Sequence, residues 1–138
     1  MKPTVLIYET ESSLRKVMAA SLEQLGLATL QAADAEAAQR HMKRSAPDLF
    51  VLELDHPGGE NGRLIDAYRR ECGSGAVVLT TTERPGEMWR SRYRPEAVVY
   101  KPFDVRYLCS KVRGLIDDTV QTKPSRVSEG VMDDSNDR

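Results

Sequence analysis

Four short apolar runs in this chain end in residues able to do polar chemistry. TVLIY runs into Glu9-Thr10-Glu11 and DLFVL into Glu53-Leu54-Asp55. AVVL runs into Thr80-Thr81, and AVVY into Lys101-Pro102-Phe103. Carboxylates, hydroxyls and one lysine, if brought to a common crevice, make a site for a divalent cation or a phosphoryl group. Any one polar residue at such a place has a plainer reading, because strand ends meet water. The set as a whole, with Lys-Pro-Phe after the last run, carries more weight than its members.

The elements that would position these residues are legible as alternating patterns. Apolar runs at 4–9, 27–32, 48–54, 76–81 and 97–100 read as strands. Three are nearly continuous in Val, Ile and Leu, as expected of parallel strands covered on both faces. The more polar run 27–32 suits an edge. Between them lie helical patterns. Ser12 or Ser13 is expected to cap a helix with Leu14, Val17, Met18, Leu22 and Leu25 on one face, ended by Gly26. Asp34 caps an Ala-rich helix that stops before Pro47. Asn61 starts a helix carrying Leu64, Ile65 and Tyr68, closed by Gly73. Gly86 to Tyr93 leaves room for only about two turns. Asp104 caps the last helix, whose stripe is Val105, Leu108, Val112, Leu115 and Ile116. Strands and helices in alternation imply an α/β fold with a doubly wound, five-stranded parallel sheet. The flavodoxin-like order 2-1-3-4-5 is expected, with the functional crevice at the carboxyl ends of the first and third strands.

Composition bounds the function. The 138 residues carry 20 basic and 21 acidic side chains, a net charge of −1, so no bulk positive field supports electrostatic nucleic-acid binding. No apolar run approaches a membrane span, and the start has no secretory-signal core, which points to the cytoplasm. Cys72 and Cys109 form no CxxC pair and read as reduced thiols. Residues 1–120 are expected to fold as one domain. Residues 121–138, QTKPSRVSEGVMDDSNDR, show no apolar periodicity and read as a disordered tail. No internal repeat is present.

The sequence resembles the CheY-like receiver domains of two-component response regulators over roughly residues 3–118. VLIYETESSLRKVM is similar to the family's first strand and helix, PDLFVLELDHPGGENG to the stretch holding the phosphorylated aspartate, VVLTT to the switch hydroxyl, and YKPFDVRYL to the conserved-type lysine, proline and aromatic. KPF is the most specific of these. The resemblance implies that Glu9 and Thr10 occupy the acidic pair that holds magnesium, and that Glu53 occupies the phosphoacceptor position. It makes Thr80 the hydroxyl that follows the phosphoryl group and Lys101 the lysine that contacts it. Pro102 would follow a cis peptide bond. Val98 stands where an aromatic switch residue is usual.

The departures from that pattern bear on mechanism. Glu53 reaches one methylene further than aspartate, about 1.5 Å, and a displacement near 1 Å can cost on the order of 100-fold in a positioned reaction. Thr10 removes a negative charge from the acidic pair, and Glu9 is longer than the usual aspartate. The pocket is therefore expected to hold no metal and to be a degenerate phosphoacceptor site. Glu53 could instead pair with Lys101 and accept a hydrogen bond from Thr80. The alternative is a working phosphoacceptor using Glu53 or Asp55 with Mg2+, held by Glu9, Glu53 and the Asp55 backbone.

Other residues carry less. His41 and His56 have no partner at ligand spacing, so no zinc site is expected, and His41 reads as a surface residue. Gly58-Gly59 with Gly62 is no phosphate-binding fingerprint. Arg84, Arg90, Arg92 and Arg94 flank Trp89 and Tyr93, types enriched at binding hot spots. With Tyr100, Arg106 and Tyr107 they would form a face of fourth helix, fifth strand and fifth helix suited to a protein partner or a homodimer. The expectation is a stand-alone, atypical receiver in bacterial signalling, a protein-interaction module rather than an enzyme, binding neither nucleic acid nor membrane.

Overall fold

The computed structural model describes residues 2–54, 60–82 and 87–121, with side chains for all of these except 60, 87–89 and 119–121. Ten elements alternate along the chain. They are β1 (Thr4–Tyr8), α1 (Ser12–Gln24), β2 (Ala28–Ala32), α2 (Ala35–Ser45), β3 (Leu49–Glu53), α3 (Glu60–Cys72), β4 (Ala76–Thr81), α4 (Glu87–Tyr93), β5 (Ala97–Tyr100) and α5 (Val105–Gln121). All strand pairs are parallel and their order is β2-β1-β3-β4-β5, as the patterning predicts. The expected tail lies outside the described residues from 122 onward.

The central strands are apolar throughout because helices cover both faces of the sheet. Alternate residues feed two cores. Leu6, Phe50, Leu52, Val77 and Leu79 pack with Met42, Leu64, Ile65 and Tyr68 of α2 and α3. Val5, Ile7, Val51, Val78 and Val99 pack with Met18 and Leu22 of α1 and with Leu108, Val112 and Ile116 of α5. β2 has one neighbour and a half-exposed pattern, the property its polar residues indicate.

Among the described residues, the helix caps read from the sequence hold with one exception. Asp34 accepts from the Ala37 N–H at 2.8 Å, and Asp104 accepts from the Arg106 N–H at 2.8 Å, both as side-chain N-caps. α1 closes in a left-handed turn at Gly26, with φ of 89°. There the Gly26 N–H donates to Glu23 and the Leu27 N–H to Leu22, the paired bonds of a Schellman motif. The exception is the start of α1, where neither serine caps. Glu11 is the N-cap and makes no side-chain cap bond. Its own N–H donates to the Glu9 carboxylate at 3.1 Å, so the crevice itself fixes where the helix begins.

The buried face of α1 is also narrower than its apolar stripe. Val17 is 50% and Leu25 41% exposed, whereas Met18, Ala19 and Leu22 are buried. A 3.6-residue period spreads five apolar positions over more arc than one sheet face covers.

Candidate functional site

The parallel register brings four strand ends to one edge of the sheet. Glu53 is paired with Thr80 at the ends of β3 and β4. Glu9 follows β1 directly, and its N–H donates to Ala32 at the end of β2. Lys101 follows β5, and its N–H donates to Thr81. The Leu54 N–H donates to the Thr80 carbonyl at 2.9 Å, so β3 stays paired just past Glu53. The Lys101–Pro102 peptide bond is cis.

At this edge the Lys101 ammonium bridges two carboxylates. Nζ donates to Glu53 Oε2 at 2.8 Å. Glu9 Oε1 stands 2.9 Å from the same ammonium, held by charge and off the axis of a hydrogen bond. The Glu9 side chain is only 1% exposed. The second oxygen of Glu53 is taken by Thr10, whose N–H and hydroxyl donate to Oε1 at 3.0 and 2.8 Å. Arg15 extends the arrangement by donating to the Glu9 carbonyl at 2.8 Å.

The charges tune one another. Burial pushes the Glu53 carboxyl up, but the Lys101 hydrogen bond, the two Thr10 donors and the Lys101 charge outweigh it, leaving it below its ordinary value. Burial likewise disfavours the Lys101 ammonium. The hydrogen bond to Glu53, the close contact with Glu9 and the charges of both carboxylates overcome this and raise it above the usual lysine value.

Two expectations about neighbouring groups need correction. Thr80 does not donate to Glu53: its hydroxyl oxygen is buried without a hydrogen-bond partner, and Thr10 takes the place assigned to it. The extra methylene of Glu53 carries the carboxylate across to β1, within reach of Thr10. His41 is half-buried rather than a plain surface residue, with Nε2 3.0 Å from the Gln31 carbonyl oxygen. Asp55, His56 and Arg84 lie outside the described residues.

Asn61 belongs to the site, although the sequence marks it only as a helix start. Its Nδ2 donates to the Glu53 carbonyl at 2.7 Å, and its Oδ1 accepts from the Tyr8 hydroxyl at 3.3 Å. A buried amide with both ends used ties β1 and β3 to the first turn of α3. The only signal for it in the sequence is an asparagine within reach of a strand end.

The face read from the sequence as a partner surface divides in two. Arg106 is 92% exposed, beside Asp104 at 3.0 Å. Tyr107 is half-exposed, with the Lys111 ammonium 5.4 Å from its ring centre. Tyr100 is half-buried and its hydroxyl lies 3.3 Å from Arg90. Tyr93 does not contribute to this surface, because it is buried in the core beneath α4. A helix of two turns gives no periodicity from which its inward face could be read. Trp89 lies in α4, its side chain outside those described. Val98 is half-buried and packs against the core shared with α2 and α3.

A magnesium ion, which a receiver fold implies, needs several oxygens in near-octahedral array. The donors among the described residues do not suit it. Both Glu53 oxygens are engaged by Thr10 and Lys101, and Glu9 faces the Lys101 ammonium and the Glu11 N–H. Thr10 supplies a hydroxyl already directed at Glu53.

Comparison with known proteins agrees with this fold. The structure superposes on a CheY-like response regulator receiver domain from Methanospirillum hungatei JF-1 with a TM-score of 0.79 at 17% identity, covering 89% of this chain and all of that one. It superposes on a response regulator from Thermotoga maritima with a TM-score of 0.74 at 21% identity, covering 85% of this chain and 99% of that one. The chain thus has the fold of the CheY-like response-regulator receiver domains. In sequence the chain is similar to the phosphate regulon transcriptional regulatory protein PhoB of Escherichia coli (strain K12), 27% identical over 120 residues, 84% of this chain and 52% of that protein. It is 25% identical over 116 residues to the probable transcriptional regulator ycf27 of Porphyridium aerugineum, 83% of this chain and 48% of that protein. The chain thus spans about half the length of the curated relatives it matches. No family model matches it. Among the described residues, no helix is long and apolar enough to cross a membrane.

Proposed function

We propose that this receiver acts as a phosphorylation-independent protein-interaction module of two-component signalling, without a bound metal and without catalysis of its own. The observation that carries this reading is the engagement of Glu53 by Thr10 on one oxygen and by Lys101 on the other. Both oxygens of the Glu53 carboxylate are taken by groups of the protein itself. A carboxylate on Lys101 imitates part of what a phosphoryl group would offer, with one anionic charge in place of about two. The partner is a signalling protein or a second copy of the chain, bound on the face of α4, β5 and α5. A near-neutral composition supports a protein partner over nucleic acid.

Acetyl phosphate with magnesium, followed by intact-mass measurement, tests the reading. The expected result is an unchanged mass, and no magnesium-dependent change in the fluorescence of Trp89, the single tryptophan. A stable fraction heavier by about 80 Da, one phosphoryl group, overturns it in favour of a working phosphoacceptor. Glu53→Gln and Asp55→Asn would then show which carboxylate was labelled.

A further inference from the structure

We propose that the first turn of α3 carries the arrangement of the crevice to α4, with Asn61 as the positioning residue and Tyr93 as the receiving side chain. Asn61 holds the Glu53 carbonyl at 2.7 Å and the Tyr8 hydroxyl at 3.3 Å. The next residue, Gly62, lies under Tyr93. A Cβ on Gly62 would stand 2.5 Å from Tyr93 Oη and 2.8 Å from Cε1 and Cζ. The tyrosine ring therefore rests on a bare Cα, a close approach that only glycine permits.

Tyr93 is the last residue of α4 and is 4% exposed. The same end of α4 is fastened to α3 by two further contacts. Arg69 donates to the carbonyls of Tyr93 and Arg94, and Arg92 pairs with Asp66 at 2.9 Å. A shift of the Glu53 backbone would thus move Asn61 and Gly62, and with them the seat of Tyr93. Thr80 offers no comparable path, since its hydroxyl touches no partner. Val98 is a short, half-buried aliphatic packed against the core. Coupling through packed, hydrogen-bonded neighbours is read as non-additivity of substitutions.

The proposal rests on the reading of α4 as part of the partner face, but its test reads α4 directly. Amide hydrogen exchange on the full chain compares residues 87–93 with the carboxyl-terminal half of α1, residues 18–24, as an internal reference away from the crevice. Asn61→Asp keeps the Oδ1 acceptor and removes the Nδ2 donor. It is expected to speed exchange in α4 roughly 2- to 10-fold, the weight of one hydrogen bond, while residues 18–24 are unchanged. Glu53→Gln should speed α4 exchange in the parent chain and add nothing in the Asn61→Asp background. Gly62→Ala, which unseats Tyr93, should abolish the Glu53→Gln effect in the same way, and it serves should Asn61→Asp fail to fold. Additive effects, no response of α4 to Glu53→Gln, or an equal rise in residues 18–24 would each overturn the proposal. Loss of partner binding with α4 exchange unchanged would count against this route and leave the proposed function standing.

Discussion

Thr10 meets Glu53 with two donors on one oxygen, its N–H at 3.0 Å and its hydroxyl at 2.8 Å. The two departures from the receiver pattern are thus partners. A glutamate long enough to cross to β1 finds a hydroxyl there, where a second carboxylate would repel it. Thr10→Ala should keep the backbone bond and lose the hydroxyl, costing about 0.5–1.5 kcal/mol. Thr10→Asp should cost more, since it places like charges side by side. Urea unfolding of both variants at neutral pH checks the order, and an Asp variant as stable as the parent would refute the pairing argument.

Lys101 should matter more to stability than Glu53, because of what each removal leaves behind. Lys101→Met strands Glu9, a carboxylate 1% exposed, beside Glu53 with no cation between them. Breaking a buried pair from one side costs about 3 kcal/mol or more. Glu53→Gln leaves Glu9 still paired with Lys101 and keeps an oxygen for Thr10, so its cost should be about 1 kcal/mol. Adding Glu9→Gln to Lys101→Met should recover part of the loss. Equal costs for the two single variants would show that the ammonium does not bridge both carboxylates in solution.

The titration shifts of this pair have opposite signs and set a neutral plateau. The Glu53 carboxyl is lowered in the folded chain. Its contribution is fully present above the unfolded-state value and is lost as pH falls through the folded value. Lys101 is raised. Its contribution is fully present below the unfolded-state value and is lost as pH rises through the folded one. The stability gap between the parent and Glu53→Gln should therefore be flat near neutrality and shrink on the acid side. Denaturant midpoints measured from pH 7 down to the acid limit of folding check this. A gap that widens toward acid would reverse the assigned sign.

The fold was legible because its signals are local. Apolar runs, Asp34, Asp104 and Gly26 mark strands and helix ends within a few residues of sequence. Strand ends gathered Glu9, Glu53 and Lys101 for the same reason, since parallel topology alone decides which ends meet. What escaped depends on distant partners. Thr10 displaces Thr80 as the donor to Glu53 through the reach of one side chain across strands. Tyr93 is buried because Gly62, on another helix, leaves room for it. Asn61 reads as an ordinary helix start until the Glu53 carbonyl stands beside it.

Among the described residues, the proposed partner face offers exposed groups. With Tyr93 in the core, Arg106 and Tyr107 at the start of α5 are exposed side chains able to anchor a contact. Tyr107 offers a half-exposed ring with Lys111 against it, and Arg106 a guanidinium whose Asp104 partner is itself open to water. Exposed pairs of this kind contribute little to folding, so truncation should spare the fold and act on association alone. Arg106→Ala and Tyr107→Ala are each expected to weaken self-association or partner binding by roughly fivefold or more. An isologous dimer would use this patch twice, so the effect of one substitution would appear on both sides of the interface. Sedimentation of parent and double variant, beside a pulldown with the parent as bait, reads both assemblies. Association and partner recovery that survive the double substitution would remove this face from consideration.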